Sequence, residues 1–168
     1  MEYIKANFEL GAGLADRAAI GLVVLATDST IEYEWRKLIN VPGVAFFETR
    51  IHNEAEITKD NLKKMELDLS ASTDLIRPGE KMDVVAFGCT SGSMVIGEEA
   101  IEKRIKEVRK ESKVTNPISA LFAAMKALKA QKIAVLTPYI KPLNDNLVEF
   151  LSAKGLEVVK FASFEHEN

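Results

Sequence analysis

Asp83-Val84-Val85-Ala86-Phe87-Gly88-Cys89-Thr90-Ser91-Gly92-Ser93 is the stretch that decides how the rest of the chain is read. Residues 83–87 are almost wholly apolar and read as a short buried strand. A glycine ends it, and the only cysteine of the chain follows at once, with hydroxyls at Thr90, Ser91 and Ser93. Gly88 is expected to let the backbone turn sharply out of the strand. The spacing of Ile101, Ile105 and Val108 predicts one helix beyond it. A strand that passes through a polar turn into a helix puts that turn at the carboxyl end of a sheet, where open α/β sheets bind ligands.

The same alternation runs outward in both directions. Upstream, residues 19–26 read as a buried strand, and Thr27-Asp28-Ser29-Thr30 as a polar turn with capping residues. Ile31, Trp35, Leu38 and Ile39 form a helical stripe that Val41-Pro42-Gly43 stops. Residues 44–49 read as another strand, and Thr58 as the cap of a long helix with the stripe Leu62, Met65, Leu69 and Leu75, broken at Arg77-Pro78-Gly79. Downstream, Val114 marks a short strand. Thr115-Asn116-Pro117 opens a helix with the stripe Ile118, Leu121, Phe122, Met125 and Leu128. Residues 132–136 are a strand, Thr137-Pro138-Tyr139 a turn, and Leu143, Leu147, Phe150 and Leu151 line a helix that ends at Gly155. Residues 156–161 make the last strand. Residues 1–18 have no strong periodicity. Gly11 and Gly13 precede the first strand, the reverse of a dinucleotide fingerprint, and read as loop. Parallel strands need crossovers, which are usually helices, so the fold class is α/β with a parallel sheet.

Composition narrows the function. The chain has 168 residues, 47% hydrophobic and 28% charged, with a net charge of -3. That is one ordinary domain or two small α/β lobes. Without a basic face, a nucleic-acid partner is not expected. No apolar run reaches the ~18 residues of a membrane helix, and the start of the chain lacks a signal peptide's basic region. A lone cysteine leaves no internal disulfide, so a cytoplasmic location is the expectation. His52 and His166 have no metal-ligand spacing, and neither a P-loop, a paired-cysteine zinc pattern nor a nucleophile elbow is present. No metal and no cofactor is expected.

The cysteine turn suits an anion. Free amides at a helix start carry positive partial charge, and the hydroxyls add donors. The same field is expected to lower the thiol below its free value of ~8.5. Such a thiol could move a proton at the α-carbon of a bound carboxylate, or attack it. The competing reading is a buried cysteine packed as a small hydrophobe. For 27–30 and 115–119 the competing reading is helix capping. For Tyr139 it is a half-buried ring, although its hydroxyl can donate to an anion.

Three segments together resemble one family. Val84-Val85-Ala86-Phe87-Gly88-Cys89-Thr90-Ser91-Gly92-Ser93 resembles the first-lobe cysteine motif of maleate isomerases. Ala26-Thr27-Asp28-Ser29-Thr30-Ile31-Glu32 resembles their first substrate turn, most of all in the ectoine-utilisation subgroup. Ala134-Val135-Leu136-Thr137-Pro138-Tyr139-Ile140 resembles the entry to their second lobe. The chain is thus similar to the aspartate/glutamate racemase-like superfamily, in its maleate isomerase and arylmalonate decarboxylase branch. The resemblance implies a flavodoxin-like doubly wound parallel sheet in two pseudo-symmetric lobes, 1–115 and 116–168, with the second incomplete. It implies cofactor-independent isomerase or racemase-type chemistry on a small carboxylate or dicarboxylate. An arylmalonate-type decarboxylase and a non-catalytic carboxylate-binding protein are the alternatives. Cys89 would be the catalytic thiol. Thr90, Ser91 and Tyr139, with Thr27, would hold the carboxylate, and Asn168 would match a substrate-binding asparagine. The family draws a second cysteine from its second lobe, and its decarboxylases use that one. With Cys89 alone, this sequence is expected to be a fragment, part of a longer chain, or a shortened relative. An incomplete second lobe would expose apolar surface, so a homo-oligomer, or completion by further residues, is expected.

Overall fold

The computed structural model describes residues 1–54 and 58–165. In chain order the elements are β1 (Ala18–Leu25), α1 (Ile31–Leu38), β2 (Val44–Ile51), α2 (Lys59–Asp74), β3 (Val84–Phe87), α3 (Thr90–Ile96), α4 (Glu98–Val108), β4 (Lys113–Thr115), α5 (Pro117–Leu128), β5 (Lys132–Thr137), α6 (Lys141–Ala153) and β6 (Glu157–Ser163). Residues 1–17 carry no helix or strand, and Tyr3, Ile4, Phe8 and Leu10 among them are exposed, as the aperiodic sequence predicts.

Four strands form one parallel sheet in the order β2-β1-β3-β4. Flavodoxin-like sheets begin with this order. The register pairs Val23 with Phe87, so the turns after β1 and β3 leave the same edge side by side. The Gly88 N–H donates to the Val23 carbonyl at 2.8 Å and carries the pairing one residue further.

The near-continuous apolar runs of β1 and β3 follow from burial on both faces. On one face Val23, Ile51, Val85 and Phe87 pack with Met65 and Leu69 of α2 and with Ile101 and Ile105 of α4. On the other, Leu22, Val24 and Ala86 meet Ile31 and Trp35 of α1. Thr58 caps α2 as its sequence predicts, accepting from the Asn61 N–H at 3.2 Å. The start of α5 is a full capping box: Asn116 accepts from Ile118 and Ser119, and the Ser119 hydroxyl accepts from the Asn116 N–H. In α2 the stripe ends differently from the expectation. Leu75 is 70% exposed, and Ile76, past the end of the helix, takes the buried place.

The helix expected after Cys89 is two helices. Gly97 adopts φ +91°, a left-handed backbone that ends α3 and starts α4 on a new axis. The apolar spacing from Ile101 onward described α4 correctly but carried no sign of the break.

A second parallel sheet contains β5 and β6, with a bulge near Ile133 and Ala134. One face packs Ile133, Val135, Val158 and Phe161 against Met125, Leu147 and Leu151. On this sheet Leu136 and Val159 remain 64% and 56% exposed. Met94 of α3 packs into the same cluster and ties the two sheets together.

Candidate active site

Cys89 follows β3 directly and is the residue that caps α3. Its backbone is extended, and its Sγ accepts the Gly92 N–H at 3.2 Å. The Ser91 hydroxyl lies 3.8 Å from the Sγ. The thiol is buried, in one cluster with Met65 and Phe87. Burial pushes the thiol above its ordinary range. The Gly92 amide and the Ser91 hydroxyl pull the other way but do not prevail, and the nearby Asp28 adds to the rise. The expectation that the helix start would lower this thiol is therefore corrected. Removal from water outweighs one amide and one hydroxyl, and α3, with only seven residues, has little field to offer.

Gly88 is needed here for space. A Cβ built on it would stand 2.9 Å from Ile31 Cδ1, because the first turn of α1 presses on the cysteine turn. Its φ does not lie in the left-handed region. The expected conformational role of Gly88 is therefore replaced by close packing.

The three hydroxyls of the turn differ. Ser93 is buried and donates to the Cys89 carbonyl at 2.5 Å, inside the helix, which commits its proton there. Thr90 is half-buried and makes no side-chain hydrogen bond among the described residues. Ser91 is half-buried between Cys89 and Tyr139. Tyr139 enters from the turn between β5 and α6. Burial raises its phenol above the usual range, the nearby Cys89 raises it further, and a hydrogen bond with Ser91 works against both. Cys89, Ser91 and Tyr139 are thus brought together from positions 50 residues apart in sequence.

The Tyr139 turn is fixed by polar residues that local pattern does not reveal. Its carbonyl accepts from Asn144 Nδ2 at 2.7 Å and from Ser163 Oγ at 2.5 Å. The buried Thr137 hydroxyl donates to Asn144 Oδ1 at 2.6 Å. The turn after β1 is fixed in a similar way. Thr27 is exposed, and its hydroxyl accepts from Asn53 Nδ2 at 3.0 Å. Arg50 donates to the carbonyls of Leu25, Ala26 and Asp28 and pairs with Glu32 at 2.7 Å. Thr30 makes no capping bond. Asp28 caps α1 in its place, accepting from the Thr30 and Ile31 amides at 2.8 and 2.9 Å. Asn168 and His166 lie outside the described residues.

Among the described residues no group of three His, Cys, Asp or Glu side chains could hold a metal, and no helix is long and apolar enough to cross a membrane. His52 is exposed at the rim of a 130 Å³ pocket that also takes in Asn53 and Lys64. A larger groove of 590 Å³ lies against Glu98, Glu99 and Glu102 with Phe150 and Lys154. It does not include Cys89, Ser91 or Tyr139, so convergent chemistry rather than cavity size marks the site.

A family model described as arylmalonate decarboxylase matches residues 36–168. Maleate isomerase of Geobacillus stearothermophilus is 28% identical over 165 residues, which are 90% of this chain and 65% of that protein. Maleate isomerase of Pseudomonas putida is 26% identical, over 87% of this chain and 63% of that protein. The chain therefore spans less than two thirds of these curated relatives. Among solved structures, a mutant of Nocardia farcinica maleate cis-trans isomerase with a covalently bound succinylcysteine intermediate superposes with a TM-score of 0.77 at 25% identity, covering 89% of this chain and 64% of that one. A liganded mutant of arylmalonate decarboxylase superposes with a TM-score of 0.71 at 19% identity, over 87% and 61% of the two chains, a likeness of fold.

Proposed function

The chain belongs to the arylmalonate decarboxylase family, and from that premise we propose that it is a cofactor-independent isomerase or racemase-type enzyme that acts on a small carboxylate through the Cys89 thiol. The observation that carries this reading is the convergence of Cys89, Ser91 and Tyr139 at the carboxyl edge of the sheet. Thr90, Ser91 and Tyr139 donate to the substrate carboxylate, and Thr27 borders it from the next turn. Donors placed where negative charge develops stabilise an enediolate formed from that carboxylate. With its pKa raised, Cys89 rests as a thiol, the form that delivers a proton to an α-carbanion. To act as a nucleophile it must first lose that proton. The Nocardia farcinica enzyme with a succinylcysteine intermediate supports a cysteine-centred reaction on this scaffold.

The decarboxylase reading rests on the same pocket, since carbon dioxide loss also leaves an enediolate, and the family match favours keeping it as the second reading. A chain that only binds carboxylates is the third. Product analysis with malonate, maleate, aspartate and glutamate separates them. Inversion or cis–trans conversion that Cys89→Ala abolishes supports the proposal. Carbon dioxide from a malonate points to the decarboxylase, and thermal stabilisation without turnover points to a binder. The exposed Leu136 and Val159 side chains support a cover over the β5–β6 sheet, supplied by a second copy in a homo-oligomer or by further residues of a longer chain. A single free cysteine supports a cytoplasmic setting.

A further inference from the structure

The loop that carries Tyr139 is closed on itself by its own residues. The buried Thr137 hydroxyl donates to Asn144 Oδ1 at 2.6 Å, and Asn144 Nδ2 donates to the Tyr139 carbonyl at 2.7 Å. The Leu143 and Asn144 amides close the first turn of α6 on the Ile140 carbonyl, and no side chain caps that helix. All of these bonds lie within residues 137–144.

The bonds that fasten this loop to the neighbouring strand come from the end of β6. Thr137 pairs with Ser163 in the register of the two strands. The Phe164 N–H donates to the Thr137 carbonyl at 2.9 Å. The Ser163 hydroxyl, half-buried, donates to the Tyr139 carbonyl at 2.5 Å across 24 residues. With Asn144 already there, both lone pairs of that carbonyl are used. The Ser163 oxygen in turn accepts the Glu165 N–H at 3.1 Å, which helps to aim its own proton at Tyr139. To make that bond the chain doubles back at Glu165 with φ +47°, a left-handed backbone uncommon for a residue with a side chain. Such a conformation persists only where its surroundings hold it. Among the described residues, Ser163 is the side chain from outside the loop that holds the Tyr139 backbone.

We infer that Ser163 is a positioning residue: through the Tyr139 carbonyl it holds the Tyr139 phenol beside Ser91 and Cys89, so that carboxylate affinity is set in part from the end of β6. This rests on the carboxylate-site reading above and deepens it. A hydroxyl donates well only over a narrow range of distance and angle. The phenol hydroxyl stands at the far end of a long side chain, so a small rotation of the backbone at its root is enlarged where the anion is met.

Threonine and valine at position 163 share a branched shape that suits a strand, and only threonine keeps the hydroxyl. Ser163→Thr and Ser163→Val are compared with the wild type, as full chains, in two readouts. Calorimetric titration with acetate, propionate and maleate reads the pocket. Ultraviolet titration, taken as the difference from Tyr139→Phe in each background, reads the one phenol, which burial holds above the ordinary tyrosine value of ~10. Ser163→Thr is expected to retain both. Ser163→Val is expected to bind carboxylates about tenfold more weakly, as for one lost bond to a charged group, and its Tyr139 phenol is expected to titrate closer to the ordinary value. Ser163→Ala should repeat the valine result, so a misfit of valine does not shield the idea. Threonine and valine variants that agree in both readouts overturn the inference. So does weaker binding with an unmoved phenol, because the loss then does not pass through Tyr139, and so does a moved phenol with unchanged affinity. If none of the three compounds binds to the wild type, the carboxylate-site reading falls, and the phenol titration alone decides whether Ser163 positions Tyr139.

Discussion

Gly92 lies under the thiol, and replacing it with alanine tests how tightly Cys89 is held. A Cβ at position 92 would stand 2.9 Å from Cys89 Sγ, 3.0 Å from Met65 Cε and 3.3 Å from Phe87 Cε1. The end of Met65 is flexible and yields easily. The sulfur is on a short side chain among buried neighbours and does not. Moving it from 2.9 Å to an ordinary contact of ~3.5 Å takes a shift of about 0.6 Å. Overpacking of this kind costs about 1–3 kcal/mol, and alanine over glycine in a helix returns about 1 kcal/mol. The net destabilisation of Gly92→Ala is then roughly 0–2 kcal/mol, too broad a range to decide anything alone. The cycle with Cys89→Ala is sharper. Without the sulfur the main clash is gone, so Gly92→Ala should cost about 1 kcal/mol less in the Cys89→Ala background. Urea denaturation of the four proteins, followed by the fluorescence of Trp35, the single tryptophan, measures that difference. Equal costs in the two backgrounds, within about 0.4 kcal/mol, would refute the packing argument. Where turnover is measured, the same shift of the sulfur should lower it about 10²-fold.

Three further outcomes follow from the site and the sheet. Asn144→Ala removes the bonds to Thr137 and the Tyr139 carbonyl; we expect a loss of about 2–3 kcal/mol in denaturation and weaker carboxylate binding, with Asn144→Asp retaining part of both. Alkylation of Cys89 by iodoacetamide should continue to accelerate with pH beyond the point where the urea-unfolded chain levels off, since burial raises the folded thiol; a tenfold slowing at a given pH corresponds to about 1.4 kcal/mol. By the same linkage the folded chain keeps a proton that the unfolded chain gives up. This contribution to stability is complete below the unfolded thiol's pKa and is lost as pH rises through the folded one. Light scattering after size exclusion should find a dimer or larger assembly, reduced by Leu136→Lys on the exposed face of β5; a wild-type chain that stays monomeric at high concentration would sink the oligomer proposal.

The order of strands and helices was legible because both periodicities are strong here. Buried runs such as 84–87 can only be interior parallel strands once helical stripes flank them. The cysteine turn was legible for the same reason, since a glycine and a thiol after a buried strand must fall at the sheet edge. The state of the thiol was not legible. It depends on Met65, which reaches it from α2, and no local pattern encodes that burial. Nor was the work of Asp28, Asn53, Asn144 and Ser163. Each fixes a turn through a bond whose partner is set by tertiary fold, such as Ser163 to the Tyr139 carbonyl across 24 residues. The sequence marked 27–30 as capping residues without saying which one caps, and it is the Asp28 carboxylate that reaches both free amides at once. The break at Gly97 was missed because glycine inside an amphipathic pattern does not announce its φ.

The central claim is that Cys89 moves a proton at, or bonds to, the carbon beside a bound carboxylate. Deuterium wash-in at that carbon, followed by proton NMR in heavy water with maleate, malonate, aspartate and glutamate, tests it most directly. The account predicts wash-in for at least one compound with the wild-type protein and its disappearance in Cys89→Ser. Wash-in that persists in Cys89→Ser would contradict it.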